Sequence, residues 1–436
     1  MIRTALSVTA ATSGRSGATA ERIPPRSRPC GKFRGRPGSL RWTLSAGVAA
    51  AWILAGLYPA PTFAADEPTV GLVAAFSGAY AQWGEDYKRE IDLYMFQHDG
   101  KDGNPKINLI LRDTPGTDPS RTKQVVQEFI TRDNAAVVGG GEFTPEALAV
   151  ADLITEAKIP YVIFNGATSF IVDKSPYLVL AGFTIWQPDV PIAEYAAEQG
   201  CKKVTLVIAD YAPGADTIKA FTYGFEKHGG KVAEVIKVPL GTNDFSSYMQ
   251  RLKDSQPQCV FPFMPGGPMS LNFIKSFAEM GFEKQGIALY DAGGATAENQ
   301  LDPVGDAALG IISSAPYSTY LDNPMNKAFI AGLEKKYPHI KRDFVTTDAY
   351  DGMEIIYHML KATDGKRDGD KAMASIKGYA WQSPRGPLSI DPKTRDPVQN
   401  IYIRKVVKDS NGVLFNKEFE TIPNVHDQWH ELHPAS

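Results

Sequence analysis

The sequence predicts an α/β protein of two lobes, each a parallel sheet covered by helices on both faces. Two observations carry this. From Thr69 onward, short β-branched runs alternate with amphipathic helical patterns, the alternation that builds a parallel sheet. The pattern then restarts near Val190 with a second series of similar size, so the chain holds two alike units rather than one large sheet. The stretch from about Ala65 to Ser436 also exceeds the size that one core usually fills.

The first series reads as strand Val70–Phe76, helix Trp83–His98, strand Ile107–Arg112, helix Pro119–Thr131, strand Ala136–Val138, helix Pro145–Ala157 and strand Tyr161–Phe164. Asp118-Pro119 places a hydrogen-bond acceptor at the N-cap and a proline at the first helical position, where its missing N–H costs nothing. Thr144-Pro145-Glu146 repeats the device, with Thr144 as the expected cap. In the second series, helices Val190–Gln199, Ala215–Lys227, a short one capped by Asp244, and Met269–Met280 alternate with strands Val204–Ala209, Val232–Val238, Val260–Phe263 and Ile287–Tyr290. After Gly310 the pattern changes. A strand-like run at Ile311–Ser314 is followed by helices around Pro324–Lys336 and Thr346–Lys361, then by strand or hairpin patterns at Trp381–Ile390 and Asn400–Val407. These late segments are too few for a third domain and are expected to return to the first two, which implies several crossovers and a hinge. The expected division is 1–64 as leader, 65–184 plus 315–396 as lobe 1, and 185–314 plus 397–436 as lobe 2.

The start of the chain carries a secretory pattern. Arg34, Arg36 and Arg41 precede the apolar run Trp42–Leu57, and small residues follow up to Ala65. That order of charge, apolar run and cleavage groove is a signal peptide, with Ala64 the expected last residue removed. The run is about 16 residues, short of the roughly 20 that span a bilayer. Cys30, in Ser27-Arg-Pro-Cys30, lacks the small apolar neighbours of a lipid-modification site. An exported, periplasmic protein is expected.

A net charge of −3 gives no electrostatic footprint for nucleic acid or an anionic membrane. Beyond the leader, Cys201 and Cys259 stand at the entrances of predicted neighbouring strands. A disulfide is geometrically open there, but two separate buried thiols are the expectation. Neither cysteine has a histidine at ligand spacing, so no metal and no thiol catalysis are expected.

Catalytic signatures are missing. There is no Gly-x-Ser-x-Gly, no His-Glu-x-x-His and no Walker-type loop. Gly139-Gly140-Gly141 precedes a helix but lacks dinucleotide-binding spacing and follows the third strand rather than the first. Neither an enzyme nor a cofactor is expected. What remains is a set of ligand-cradling segments at strand carboxyl ends, where ligands sit in open parallel sheets. In the first lobe these are Phe76-Ser77-Gly78 with Gln82-Trp83, then Gly140 to Thr144, then Asn165 to Ser169; their free N–H groups and hydroxyls suit a carboxylate. In the second lobe they are Asp210 to Gly214, Met264 to Gly267, and Tyr290 to Gly293, richer in aromatic and acidic side chains. A cleft clamping a small, partly apolar solute is the natural reading.

Several short motifs occur in one order: Ser77-Gly78-x-x-x-Gln82-Trp83-Gly84, Arg112-Asp113 with Asp118-Pro119, Val137-Val138-Gly139, Gly166-Ala167-Thr168, Asp210-Tyr211-x-x-Gly214, Asn243-Asp244-Phe245-Ser246, Tyr350-Asp351 and Gly386-Pro387-Leu388. On them the chain from about Val70 to Val407 resembles the leucine/isoleucine/valine-binding protein family, the type I periplasmic solute-binding proteins of ABC importers. The resemblance implies two Rossmann-like lobes joined by a three-strand hinge, no catalysis, hinge closure on a ligand, and delivery by a monomer to membrane subunits of an importer.

Residue by residue, the resemblance places the ligand carboxylate at Phe143 or Thr144, Ala167 and Thr168, and an aromatic contact at Trp83. It places a second aromatic near Tyr211 and the partner of a ligand ammonium near Asp291. Two positions depart from the family pattern. Asp291 is shorter than the usual glutamate, and Ala181-Gly182-Phe183-Thr184 replaces an Arg-Thr at the first crossing, where Phe183 and Trp186 would extend an aromatic wall. The expected ligand is therefore a small apolar carboxylate: a branched-chain or aromatic amino acid, or an aromatic or aliphatic acid without the amine. A ligand sensor for a membrane receptor and an enzyme on the same scaffold are the rival readings. From the residues alone, Thr168 and Ser169 serve equally as turn caps, and Asp291 before Gly293-Gly294 as a turn former.

Overall fold

The computed structural model describes residues 67–115, 118–166, 168–338 and 347–433. The leader, its expected cleavage after Ala64, Cys30 and Ala167 lie outside the described residues.

In the first half, strands and helices alternate as β1 (Thr69–Ala74), α1 (Ala81–His98), β2 (Asn108–Asp113), α2 (Pro119–Thr131), β3 (Val137–Gly140), α3 (Thr144–Ala157), β4 (Tyr161–Ile163) and β5 (Leu178–Leu180). All neighbours pair in parallel, in the order β2-β1-β3-β4-β5. The second half repeats the winding with α4 (Trp186–Glu198), β6 (Lys203–Ala209), α5 (Ala212–Lys227), β7 (Lys231–Val238), α6 (Ser246–Ser255), β8 (Cys259–Phe263), α7 (Pro268–Glu279), β9 (Ala288–Asp291), α8 (Glu298–Val304) and β10 (Ile312–Ala315). Its parallel strands run β7-β6-β8-β9-β10. Each half therefore has one reversal of strand order, between β1 and β3 and between β6 and β8, which opens a crevice at the strand carboxyl ends.

Helices α9 (Pro324–Lys336) and α10 (Asp348–Ala362) return to pack on α1, and α11 (Gly369–Ser375) follows. The antiparallel strands β11 (Ala380–Ser383), β12 (Gly386–Ile390), β13 (Pro397–Lys408) and β14 (Leu414–Val425) extend the second sheet beyond β10, and α12 (Gln428–Leu432) ends the described chain. The chain thus passes between the halves three times, as a two-lobed α/β fold.

One network ties these passages together. Buried Arg385 donates to Asp351 Oδ2 at 2.9 Å, to Asp348 Oδ1 at 3.2 Å, and to the carbonyls of Gly182 and Ala181 at 2.9 and 2.7 Å. Gln187 donates to the carbonyls of Pro397 and Val425 and accepts from Gln399, which also donates to Gly182. Two glycines set the helices close to the strands. A Cβ at Gly84 would lie 2.1 Å from the Ala75 carbonyl oxygen, and one at Gly214 would lie 2.0 Å from that of Ala209. Only glycine lets α1 and α5 sit on the ends of their strands, at equivalent places in the two halves.

Several local expectations need correction. Cys201 and Cys259 form a disulfide, with Cα atoms 6.1 Å apart. The register pairs Val204 with Cys259, which brings the two strand entrances together within bridging range. The cap of α3 is Phe143, not Thr144, because Glu146 reaches back to accept the N–H groups of Phe143 and Glu142 at 3.1 and 3.0 Å. Helix α4 starts at Trp186, earlier than Val190, because Gln187 Oε1 accepts the Thr184 N–H and Pro188 falls where no donor is needed. Asp244 lies one residue before the Phe245 cap of α6, accepting from the Ser246 N–H and hydroxyl. The expected cap Asp118 does hold its helix, accepting from the Arg121 N–H at 3.0 Å.

Candidate ligand-binding site

The carboxyl ends of both sheets open onto one cavity, where ligands sit in folds of this kind. The first half contributes Trp83 from α1, then Glu142, Phe143 and Thr144 at the start of α3, and Asn165 after β4. The second half contributes Tyr211 after β6, Phe263 to Gly266 at the end of β8, and Asp291 and Ala292 at the end of β9. The crossing between β5 and α4 adds Phe183, Ile185, Pro188 and Asp189.

Of the expected site residues, Trp83, Phe143, Thr144, Tyr211 and Asp291 line this cavity. Thr168 lies behind it, bonded to Thr144 through the two hydroxyls at 3.0 Å. It supports the rim instead of forming it. Ser169 is occupied elsewhere, its N–H held by Asp216 at 3.1 Å and its hydroxyl by Asp427 at 3.1 Å. Phe183 extends the wall as expected, but Trp186 does not; it turns to donate to Asp216 at 2.9 Å.

The walls are flat and aromatic. Trp83 stacks on Phe143 with centroids 5.6 Å apart and planes 13° from parallel, and Tyr80 meets the Phe143 ring edge-on. Opposite, Tyr211 stacks with Phe263 at 6.2 Å and 21°. The halves come close: a Cβ at Gly266 would lie 3.3 Å from Trp83 Cζ2. Stacked pairs favour a planar, apolar body between them.

No Lys or Arg lines the cavity among the described residues. Burial raises the pKa of its acids instead. Burial pushes the Glu142 carboxyl well above its usual range and the Glu146 charge adds to this, against the Ala75 N–H that Glu142 Oε1 accepts at 2.7 Å. Burial likewise raises Glu146 to about 7 and Asp189 well above its ordinary value. Asp291 is raised by burial too, but it is committed to a turn. Its Oδ2 accepts from the Ala295 N–H, the Thr296 N–H and the Thr296 hydroxyl at 3.2, 3.1 and 3.0 Å.

The expected anion cradle is narrower than the sequence suggests, since Glu146 already takes two of its amides. One possible metal set exists among the described residues, Asp396, Asp427 and His430, with donor atoms within 4.8 Å of one another. It lies outside the cavity, and His430 Nδ1 already sits 3.0 Å from both carboxylates as an ion pair. Asp189 and Phe263 were not singled out from the sequence, whereas Met264 belongs to one of the expected cradling segments. The Pro188-Asp189-Val190-Pro191 pattern was the available signal for the first of these.

A family model described as periplasmic binding protein matches residues 67–412. The chain belongs to that family. Its members are non-enzymatic solute-binding proteins of ABC transporters, and this chain is one of them. The Leu/Ile/Val-binding protein homolog 6 of Brucella melitensis is 43% identical over 358 residues, covering 82% of this chain and 92% of the relative. A solute-binding protein of an ABC transporter from Rhodopseudomonas palustris HaA2, solved in complex with p-hydroxybenzoic acid, is 42% identical with a TM-score of 0.80, covering 83% of this chain and 98% of that one. A further one, from Rhodopseudomonas palustris BisB5 in complex with 3,4-dihydroxybenzoic acid, is 42% identical with a TM-score of 0.79, covering 83% and 99%. The resemblance read from Ser77-Gly78, Asp118-Pro119 and Asp210-Tyr211 thus names the right family.

Proposed function

We propose that this solute-binding protein captures a small aromatic carboxylate lacking an α-ammonium group. The observation that carries this is the pair of stacked aromatic walls. Asp291, the expected partner of an ammonium, has its Oδ2 committed to the Ala295–Thr296 turn. The stacked pairs Trp83–Phe143 and Tyr211–Phe263 supply a slot for a planar ring. The ligand carboxylate sits at the start of α3, at Thr144 with Thr168 behind it, where the helix dipole favours an anion. Burial disfavours charge on Glu142 and Asp189, which lessens the repulsion that ionised acids would impose there. Relatives solved with p-hydroxybenzoic and 3,4-dihydroxybenzoic acid support the same class.

In this reading the lobes are 65–184 plus 315–396 and 185–314 plus 397–436. They close on the ligand by hinge motion, and an importer's membrane subunits read the closed shape. The protein acts in the periplasm as a monomer after removal of residues 1–64; N-terminal sequencing of the periplasmic form should begin at Ala65. The ligand reading is tested by calorimetric titration of refolded, ligand-stripped protein with benzoate-type acids, leucine, valine and phenylalanine. Binding of the amine-free acids alone supports it; binding of the amino acids alone overturns it.

A further inference from the structure

Asp189 is the one cavity acid that the fold does not use. It is fully buried, it lines the cavity, and neither carboxyl oxygen has a hydrogen-bond partner among the described residues. Glu142 and Asp291, by contrast, each have at least one oxygen bonded to backbone N–H groups. A bland role is available to an acid in the first turn of a helix, which is to accept from the free amides there. That role is closed here. The Gln187 N–H is bonded to the Thr184 carbonyl, and Pro188 has no N–H. The Thr217 hydroxyl lies beside Asp189 and eases its burial, yet no hydrogen bond of standard geometry forms. The other charged groups felt at this site, Asp216 and Asp291, are both acidic.

A buried carboxyl with two orphan oxygens costs stability unless a ligand completes it. A carboxylic acid offers one acceptor and one donor. A phenolic hydroxyl offers the complementary pair, its O–H donating to the Asp189 carbonyl oxygen and its own oxygen accepting from the Asp189 O–H. An ammonium offers donors alone and pairs with Asp189 only in its ionised form, which the leucine arm of the test below detects. An unsubstituted ring leaves both oxygens orphaned.

We propose that Asp189 is the specificity-determining residue of this cavity, pairing with a hydroxyl on the ring of the bound acid at the end away from its carboxylate. The inference rests on the aromatic-carboxylate reading and adds that hydroxylated acids are preferred to unsubstituted ones. Discrimination by a buried polar group is large because the wrong ligand leaves it unpaired.

The test is calorimetric titration of the full chain, expressed with its own leader, using benzoate, 4-fluorobenzoate, 3-hydroxybenzoate, 4-hydroxybenzoate and leucine. At least one hydroxybenzoate should bind about tenfold or more tightly than benzoate and 4-fluorobenzoate. In Asp189→Leu that ratio should fall to about one, from loss of the hydroxylated ligand's advantage. Asp189→Asn, which keeps one donor and one acceptor, should retain part of the ratio. Equal wild-type affinities for hydroxylated and plain benzoates overturn the role of Asp189 while leaving the aromatic reading intact, and so does an unchanged ratio in Asp189→Leu. Binding of leucine with no aromatic acid overturns both.

Discussion

Two buried ionisable side chains stand on the passages between the halves, and their surroundings are opposite. Arg385 is saturated, with two aspartates and two carbonyls around its guanidinium, while neither oxygen of Asp189 has a bonded partner among the described residues. The first arrangement is what a group needs in order to hold an architecture. The second is tolerable only if something else arrives. Burial alone does not separate these two groups; the partners around their polar atoms, and the cavity beside Asp189, do.

The contrast is broken or sharpened most strongly at Arg385. Arg385→Met would leave Asp348 and Asp351 buried without their cation, and breaking a buried pair this way costs roughly 3–5 kcal/mol. Urea denaturation should show that loss, whereas Asp189→Leu should leave stability equal or higher. A small loss in Arg385→Met, or a large one in Asp189→Leu, would reverse the assignment of the two groups.

The disulfide tests the same division from another side. Cys201 and Cys259 are 58 residues apart, and a cross-link of that loop length stabilises by roughly 2–4 kcal/mol. The Cys201→Ala/Cys259→Ala pair should lose stability of that order in urea denaturation without changing the order of ligand preference, because the bridge lies at the strand entrances and not among the cavity residues.

A third substitution acts on the ligand side. Thr144→Val keeps the shape of the α3 start and removes a hydroxyl bonded to Thr168. Affinity for a benzoate-type acid should fall about tenfold, with about 1 kcal/mol lost from folding. Titration calorimetry beside a denaturation curve separates the two effects; unchanged affinity would move the carboxylate away from α3.

How much of this was legible in the sequence follows the range of the interactions. The alternation of runs and the Asp118-Pro119 cap are local, and both halves are wound as that pattern implies. Gly84 and Gly214 were visible as motif letters, but their reason, contact with a strand carbonyl, exists only in three dimensions. The site was half legible. Trp83, Phe143, Thr144, Tyr211 and Asp291 come from segments at strand ends, where topology alone puts ligands. Thr168 and Trp186 stand off the cavity lining because one partner each, Thr144 and Asp216, holds the side chain. Asp189 escaped because its distinguishing property is the lack of a partner, which no spacing encodes.

The smallest expected effect lies at His430, whose surroundings fall between those of Arg385 and Asp189. Its Nδ1 sits 3.0 Å from Asp396 and Asp427, and its Nε2 sits 3.3 Å from Asp173, so the end of the chain is pinned to the first half. Burial alone would lower its pKa, but hydrogen bonds and charge from Asp396 and Asp427 raise it from 6.5 to about 10. A folded-state pKa above the unfolded one means that the stabilisation is complete below about pH 6.5 and drains away as pH climbs through 10. The melting temperature of the wild type should therefore exceed that of His430→Gln near pH 6, with the gap shrinking steadily toward pH 10. A gap that stays constant over that range would mean that packing, not the imidazolium charge, holds α12 in place. His430 would then belong with the architecture that needs no charge at all.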